Sequence, residues 1–287
     1  MEFYHLRSFV VVANTGNLTL AAKQLCTTPP AISAHIKSLE DELKTPLFVR
    51  SSKGMALTEK GELLLIKAQK TLDSMLDMVN LAAENQNEII GNFTLGINQT
   101  TVQLKVAELL TNLSENCQGI SLQINHLTSG KIIEAITNAT VDGGYIYGEV
   151  PPDFIGLTVK QQAITTIAPA AFEISTTDLV SELAAQPWIT MGADCPFDQL
   201  LKQKLGPGIQ SVAKTSDDGT RVELVKSGLG LSFCEADMAS NQNQAVKILG
   251  QLDFDTELHF VVAKQRACEP VIKALLQEVR ILWAIAL

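Results

Sequence analysis

The sequence predicts an α + α/β architecture, with a small helical module, a long connecting helix and a larger α/β domain of two doubly wound lobes. Three observations predict it. Apolar residues recur at helical spacing over residues 3–43, one apolar stripe continues along a second stretch after residue 58, and strand and helix patterns alternate from residue 92. The expected domain limits are therefore 1–58, 59–91 and 92–287. At 287 residues and 46% hydrophobic content, the chain is long and apolar enough for separate cores.

The N-terminal module is predicted to contain three helices. The first runs from about Phe3 to Asn14 and ends at the Thr-Gly-Asn segment 15–17, and a short second helix spans 18–25. The third is expected from Pro29 to Leu43. Thr28 is placed to cap it, and a proline at its first position removes no intrahelical bond, because the first N–H groups have no partner.

The predicted third helix has two different faces. Four apolar side chains fall within about 60° of one another around the helix axis: Ile32, Ile36, Leu39 and Leu43. We expect this apolar face to be buried. Its opposite face is small or basic and carries Pro30, Ser33, Ala34, Lys37 and Ser38. Together with the helix before it and the turn at 26–28, it makes a helix-turn-helix, for which a simple packing hairpin is the alternative. A strand-turn-strand pattern over 47–57, with Lys53 at its tip, resembles a wing and favours DNA binding.

A long helix is predicted from Thr58, its cap, to about Asn87. Apolar residues recur along it at alternating steps of three and four, as in a coiled-coil seam: Leu65, Ala68, Leu72, Met75, Val79 and Ala82. We expect this seam to be buried against the same helix of a second copy, with packing on its own chain as the alternative. A two-fold dimer in turn predicts a pseudo-palindromic DNA site.

From residue 92 the pattern changes to alternating strands and helices. The strands are predicted at 93–97, 120–124, 144–147, 165–168, 188–191, 211–213, 229–233 and 258–262, and the helices at 100–114, 130–138, 178–185, 197–204, 218–227 and 270–282. The first of these helices should turn Val102, Val106, Leu109, Leu110 and Leu113 inward. This order predicts lobe I at about 92–163 and 262–287 and lobe II at about 164–261, with residues 88–91 as a hinge before them.

The net charge of −9 is unevenly distributed along the chain. Residues 1–60 contain seven basic and five acidic residues, so their balance is +2 and that of the remainder is −11. This distribution fits nucleic-acid contact at the N-terminal end alone.

Several function classes find no support in the sequence. The cysteines (Cys26, Cys117, Cys195, Cys234 and Cys268) are odd in number and form no C-x-x-C pair, so neither a zinc site nor a disulfide framework is expected. The chain contains no G-x-S-x-G, H-E-x-x-H or P-loop motif, and we therefore expect no catalytic residue, metal or cofactor. The N-terminus is amphipathic and no apolar run approaches about 18 residues, which predicts a cytoplasmic protein with no membrane partner.

Six ordered segments resemble the LysR-type transcriptional regulators: HLRSFV at 5–10, LTLAAKQL at 18–25, PAIS at 30–33, LE at 39–40, LFVR at 47–50 and LTEKG at 57–61. The resemblance implies a winged helix-turn-helix DNA-binding domain at 1–58 and a linker helix at 59–91 that pairs two copies. It also implies a two-lobed effector-binding domain at 92–287, similar to a type 2 periplasmic binding protein. Pro29, Ala34 and Ser38 depart from residues common in the family, so the bases that its members read cannot be transferred.

The residues expected to face DNA lie on the third helix and the wing: Thr28, Pro30, Ser33, Ala34, His35, Lys37, Arg50 and Lys53. Arg50 is included unless an ion pair with Glu40 or Glu42 engages it. The expected partners are double-stranded DNA, a second copy of the chain or a tetramer, a small-molecule effector and RNA polymerase.

The effector site is expected beyond the carboxyl ends of the strands, where helix N-termini converge. Hydroxyls, amides and free N–H groups there suit a small anion such as a carboxylate. The candidates are Asn98, Gln99, Thr100, Thr101, Thr128, Ser129, Asp194, Cys195, Thr215 and Ser216. For each Ser, Thr or Asp, simple helix capping is the alternative role.

Cys195 and His126 each have two interpretations. Peroxide-sensing LysR-type regulators have a reactive cysteine in the loop of Cys195, and a helix N-terminus lowers a thiol pKa. Those sensors use a second cysteine shortly downstream, whereas the next one here is Cys234, so a structural or ligand-lining thiol is expected. His126 is expected to be a satisfied polar side chain rather than a titrating sensor.

The predicted function is sequence-specific DNA binding, modulated by a small, anionic effector held between two lobes. A two-lobed small-molecule binding protein and a cytosolic enzyme are the alternatives. The former leaves the first 60 residues unexplained, and the latter needs a catalytic constellation.

Overall fold

The computed structural model describes residues 1–51, 54–82, 89–173, 178–242, 245–250 and 252–285. The chain forms two compact units, residues 1–85 and 86–287. No helix in these ranges combines the length and the apolar character needed to cross a bilayer.

The first unit contains the predicted helix-turn-helix and wing. Its elements are α1 Phe3–Thr15, α2 Leu18–Gln24, α3 Pro29–Leu43, the antiparallel strands β1 Phe48–Ser51 and β2 Gly54–Leu57, and α4 Glu59–Ala82. Local capping defines the helix starts. Asn17 Oδ1 accepts the N–H groups of Thr19 and Leu20 at 2.8 and 3.1 Å, and Thr28 Oγ1 accepts that of Ala31 at 3.4 Å. The bounds predicted for the third helix are confirmed.

The core of this unit is built on the apolar face of α3. Ile32, Ile36 and Leu39 are buried with residues of α1 and α2. Leu43, predicted to join them, is 36% exposed in the last turn of α3, so the buried stripe ends at Leu39.

The start of α4 is fixed against the wing. Thr58 Oγ1 accepts the N–H of Gly61 and donates to the carbonyl of Pro46, both at 2.9 Å. Gly61 is required here, because a Cβ would lie 2.3 Å from the Leu47 carbonyl oxygen.

The seam predicted along α4 divides into two halves. Ala68 and Leu72 are buried in the core of their own chain, and Leu65 packs against that core. The expectation that the whole seam faces a second copy is therefore wrong for this half, because α1 packs on the same side of α4. In the second half Met75, Val79 and Ala82 are exposed.

The second unit is organised around a mixed sheet. Its strands are β3 Ile90–Ile97, β4 Gly119–His126, β5 Gly143–Tyr147, β6 Phe154–Pro169, β9 Ser232–Glu235, β10 Val246–Ile248 and β11 Phe254–Ala263. They follow the order β10–β6–β11–β5–β3–β4, with β9 also paired to β6. Strand β3 pairs in parallel with β4 and β5, whereas β6 and β11 pair antiparallel. A separate parallel pair joins β7 Pro187–Thr190 to β8 Gln210–Lys214.

Helices cover these strands in both lobes. They are α5 Val106–Asn116, α6 Ser129–Thr137, α7 Leu179–Ala184, α8 Pro196–Leu205, α9 Asp218–Lys226, α10 Ala236–Ser240 and α11 Pro270–Leu282, with a 3-10 turn at Lys264–Arg266. Helices α5, α6 and α11 pack on lobe I, and α7 to α10 belong to lobe II. The predicted two-lobed α/β class is confirmed, although the main sheet is mixed rather than purely parallel.

Several predicted bounds in this unit are wrong. Strand β3 already includes Ile90 and Gly91, which were assigned to a hinge, and α5 begins at Val106 rather than Thr100. Residues 101–105 form turns ending at Lys105, whose φ is 52°. Val102 is consequently 84% exposed, and Leu110 is 43% exposed on the outer side of α5.

The two longest strands connect the lobes. β6 has 16 residues and β11 has ten, and they pair along their length. The sequence predicted only the apolar segments 165–168 and 258–262. The polar run 160–162 hides the strand pattern, although the backbone there is paired with β11.

Candidate functional site

The outer face of α3 is the first candidate surface. Thr28, Pro30, Ala34 and Lys37 are exposed, as is Ser38, and Ser33 is half-buried. Because Thr28 caps the helix, the first turn of α3 has an ordered backbone, and the same face carries small side chains and, further along, Lys37. Such a helix is narrow enough to enter a major groove N-terminus first.

The structure turns His35 toward α1 instead. Its Nδ1 lies 2.8 Å from Ser8 Oγ, and its ring centroid lies 4.9 Å from that of Tyr4 and 5.4 Å from that of His5. Burial, and secondly the neighbouring His5, lower the pKa of His35. One edge of the His35 ring is therefore occupied within the protein, but the residue is only half-buried, and its contact with DNA stays a prediction.

The wing residues fall partly outside the described residues. Lys53 lies outside them, and so does the side chain of Arg50. The two acids considered as partners of Arg50 have other contacts. Glu40 Oε1 accepts the N–H groups of Leu47 and Phe48 at 2.7 and 3.2 Å, and Glu42 Oε1 lies 2.6 Å from the amino group of Met1.

The second candidate site is a cavity of about 290 Å³ between the lobes of the second unit. It lies beyond the ends of β3, β4 and β5, where the N-termini of α6, α8 and α9 also meet. Seven of the predicted residues line it: Asn98, Gln99, Thr100, Thr128, Ser129, Cys195 and Ser216.

Three of the predicted residues do not line the cavity. Thr101 begins the turns before α5. Asp194 packs its backbone against the first turn of α6, where a Cβ on Gly130 would lie 2.6 Å from its carbonyl oxygen. Thr215 Oγ1 accepts the N–H of Asp217 at 3.2 Å, a local turn contact. For these three residues, ligand contact finds no support in the cavity lining and stays an untested prediction.

Ser129 organises the lobe I wall. Its Oγ accepts the N–H of Tyr147 at 3.0 Å and the Nδ2 group of Asn98 at 3.1 Å. These contacts leave Asn98 Oδ1 buried without a hydrogen-bond partner in the described parts of the chain. Thr128 Oγ1, at the N-cap of α6, has none either.

A relay of hydrogen bonds crosses between the lobes. Gln99 Nε2 donates to Tyr147 Oη at 2.5 Å, and Tyr147 donates to Glu235 Oε1 at 2.7 Å. Gln103 Nε2 donates to Glu235 Oε2 at 2.8 Å. Burial raises the pKa of Glu235, and burial together with the neighbouring carboxylate raises that of Tyr147. The phenol is therefore a neutral donor.

Arg221 is the main residue that sequence reasoning missed. It lies on α9, is 3% exposed, and pairs through Nη2 with Asp218. Its Nε and Nη1 groups have no hydrogen-bond partner within the described ranges. The helical spacing in the sequence could have indicated its position. Arg221 is four residues before the buried Val225 and so shares the inner face of the helix.

Cys195 lines the cavity as a buried thiol. Its Sγ lies 3.6 Å from Met191 Sδ. Burial, and then the nearby Asp198 carboxylate, raise the pKa of Cys195 to about 11, and burial raises that of Cys234 to about 12. Both are thiols at neutral pH, which supports the structural interpretation over a peroxide-reactive one. His126, at the end of β4, lines the same cavity from lobe I.

Two family models match the chain. The bacterial regulatory helix-turn-helix protein, lysR family, matches residues 3–62, and the LysR substrate binding domain matches residues 86–283. This chain belongs to the LysR family of transcriptional regulators. It is a DNA-binding transcriptional regulator with an effector-binding domain, and this family consists of regulators rather than enzymes.

Similar proteins agree with this assignment. The uncharacterised HTH-type transcriptional regulator YusT of Bacillus subtilis is 29% identical over 81% of this chain and 78% of its own length. The regulator YofA of Bacillus velezensis is 26% identical over 82% and 81%.

Solved structures share the fold of this LysR-family chain. A full-length OxyR variant from Pseudomonas aeruginosa has a TM-score of 0.67 at 19% identity, covering 98% of this chain and 95% of its own. Full-length CbnR in complex with its target DNA has a TM-score of 0.62 at 20% identity, covering 98% and 99%.

Proposed function

We propose that this LysR-family regulator binds a pseudo-palindromic operator as a homodimer or as a tetramer. A small molecule in the cavity between the lobes of the second unit alters these operator contacts. RNA polymerase is the expected downstream partner. Because its proposed target is promoter DNA, its proposed site of action is the cytoplasm.

The observation that carries the dimer is the exposed stripe on α4. Met75, Met78, Val79 and Ala82 follow helical i, i+3, i+4, i+7 spacing, and all four are exposed. Met78 is 73% exposed and Val79 is 60% exposed. A continuous apolar stripe of this kind is typical of a surface that another protein covers. A second copy supplies a matching stripe under two-fold symmetry.

The DNA-facing residues proposed on α3 are Thr28, Pro30, Ser33, Ala34 and Lys37, with Arg50 and Lys53 contributed by the wing. Lys37 is suited to a phosphate contact, whereas the small side chains allow close approach to base edges. The modest positive balance of one module supports dimeric binding, because two modules combine their phosphate contacts on one site.

A genomic selection tests this function. The intact protein is incubated with genomic fragments at low ionic strength, and the retained DNA is sequenced. We expect enrichment of promoter fragments that share an inverted repeat, and light scattering should report a dimer or a tetramer. A monomer that retains fragments at random would overturn the proposal.

A further inference from the structure

We infer that the ligand of the cavity is a small zwitterion of the α-amino acid class, carrying both a carboxylate and an ammonium group. This inference rests on the proposed function, because it names the kind of molecule that the same cavity binds. Its support is a set of buried donors and acceptors on the cavity wall that the described residues leave unpaired.

The donor side is Arg221. Its side chain is almost fully buried and lines the cavity, and Asp218 engages only its Nη2 group. Nε and Nη1 are left as two N–H donors without partners among the described residues. They lie on different edges of the guanidinium, because Nη2 belongs to both edges, so each can donate one charge-assisted hydrogen bond to a carboxylate oxygen. Unpaired donors on a buried cation are costly, so an anionic ligand group relieves a real deficit.

The N-terminus of α6 adds to the donor side. Thr128, its N-cap residue, makes no capping hydrogen bond through its side chain, and its Oγ1 is buried without a partner among the residues described. The first N–H groups of this helix carry the positive end of the helix dipole and favour an anionic group. Arg221 is the independent observation that points to the same type of ligand group.

The acceptor side consists of two amide oxygens. Asn98 Oδ1 and Gln99 Oε1 are both buried and unpaired within the described residues. Their orientation follows from their neighbours. Asn98 places its nitrogen toward Ser129, and Gln99 places its nitrogen toward Tyr147. A ligand that satisfies these oxygens must bring N–H or O–H donors, which a carboxylate group alone lacks.

The direction of the Gln99 amide is fixed by the relay behind it. Gln103 Oε1 already accepts the hydroxyl of Thr100 at 2.7 Å, so its Nε2 group faces Glu235. In its carboxylate form Glu235 accepts on both oxygens, so Tyr147 donates to it, and the Tyr147 oxygen accepts from Gln99. The carbonyl of Gln99 then remains for the ligand.

The charges on the cavity wall favour a zwitterion over the anion that the sequence predicted. Asp218 balances Arg221, and Asp217 and Glu235 are two further carboxylates on the wall. Lys160 lies 4.0 Å from Glu235 and offsets it in part. A polyanion would meet repulsion from this acidic surplus, whereas an ammonium group is attracted by it. A cavity of about 290 Å³ suits a molecule of this size.

The test compares matched ligands on the intact wild-type protein. Each of the twenty standard amino acids is titrated by calorimetry, and every binder is compared with its hydroxy acid, in which a hydroxyl replaces the ammonium group, and with the amine that lacks the carboxylate. We expect at least one amino acid to bind and both counterparts to bind at least tenfold more weakly. Equal binding of the hydroxy acid, or no binding of any amino acid, would overturn the inference.

Two variants locate the contact. Arg221→Lys keeps a cation beside Asp218 but loses the Nε and Nη1 donors, and should weaken amino acid binding at least tenfold. Arg280→Lys on α11, away from the cavity, should bind as the wild type does. Undiminished affinity in Arg221→Lys would contradict the assigned contact. Retention of genomic fragments distinguishes failure of the proposed DNA-binding function from failure of the amino acid inference. A protein that retains operator fragments but binds hydroxy acids as tightly as amino acids contradicts only the amino acid inference.

Discussion

The Tyr147 hydroxyl donates to Glu235 Oε1 at 2.7 Å and thereby joins β5 of lobe I to β9 of lobe II. Both side chains are buried and both line the cavity. This contact is therefore part of the cavity wall and also a direct bond between the two lobes. A ligand that changes the relay can alter the packing of the lobes, which is the form of coupling that an effector requires.

Tyr147→Phe should destabilise the second unit by about 1–3 kcal/mol, because Gln99 loses its acceptor and Glu235 loses a donor. Urea unfolding followed by tryptophan fluorescence reports on this unit, since both tryptophans, Trp188 and Trp283, lie in it. Tyr4→Phe, at an exposed position of the first unit, is the matched control and should unfold like the wild type. Equal midpoints for the two variants would show that the hydroxyl contributes nothing.

Glu235 also predicts a pH dependence. Burial raises its pKa above the ordinary value of 4.5 in the folded state, so the folded protein binds this proton more tightly than the unfolded chain does. Its contribution to stability is fully present below pH 4.5 and declines as the pH rises through the raised pKa. Each unit of difference between the two pKa values corresponds to about 1.4 kcal/mol.

Glu235→Gln should therefore flatten the fall in unfolding free energy as the pH rises from about 4.5 toward neutrality. The quantity to compare is the slope of unfolding free energy against pH. The substitution also changes hydrogen bonds, which shifts the unfolding free energy at every pH. Glu115→Gln, at an exposed position, should keep the wild-type slope. Parallel curves for wild type and Glu235→Gln would contradict the assigned titration.

The sequence predicted the elements whose signals are local. The bounds of α3 follow from Thr28 and Pro29 at its start, and α11 was likewise predicted at 270–282. The loops after β3 and β4 reached the cavity as expected, because strand ends in an α/β sheet determine where ligands bind. These predictions depend on spacing within one segment.

The features that the sequence did not predict depend on contacts between distant segments of the chain. The polar part of β6 is a strand because β11 pairs with it, and Arg221 faces the cavity because α9 packs on lobe II. Ala68 and Leu72 are buried by α1, which lies more than fifty positions away in sequence. Periodicity shows that a face will be covered, but it does not show which surface covers it.

The exposed apolar stripe of α4 predicts a dimer interface, and a charge introduced into this stripe should disrupt it. Val79→Glu places two carboxylates in the proposed interface under two-fold symmetry, and burial of these charges without partners is unfavourable. Light scattering should show a dimer dissociation constant at least tenfold higher, with weaker operator binding. Ser74→Glu adds the same charge on α4 outside the stripe and should leave the assembly intact. A dimer of wild-type stability in Val79→Glu would place the interface elsewhere.

Lys37 is expected to contact phosphate rather than bases. Lys37→Ala should weaken binding to all DNA sequences to a similar extent and reduce the slope of log K against log salt by about 1. Fluorescence anisotropy over a salt series measures both quantities. Lys273→Ala, an exposed lysine of α11 in the second unit, provides the control. An unchanged slope would remove Lys37 from the contact set.

The cysteines should differ sharply in reactivity. Cys26 and Cys268 are exposed, whereas Cys117, Cys195 and Cys234 are buried, and burial raises the pKa of all three. Because the thiolate is the reacting form, iodoacetamide near pH 8 should label the exposed pair at least about tenfold faster. Mass spectrometry of timed digests measures each site, and labelling in urea, where all five are accessible, provides the reference. Rapid native labelling of Cys195 would instead indicate a reactive thiol in the cavity and would restore the peroxide-sensing interpretation.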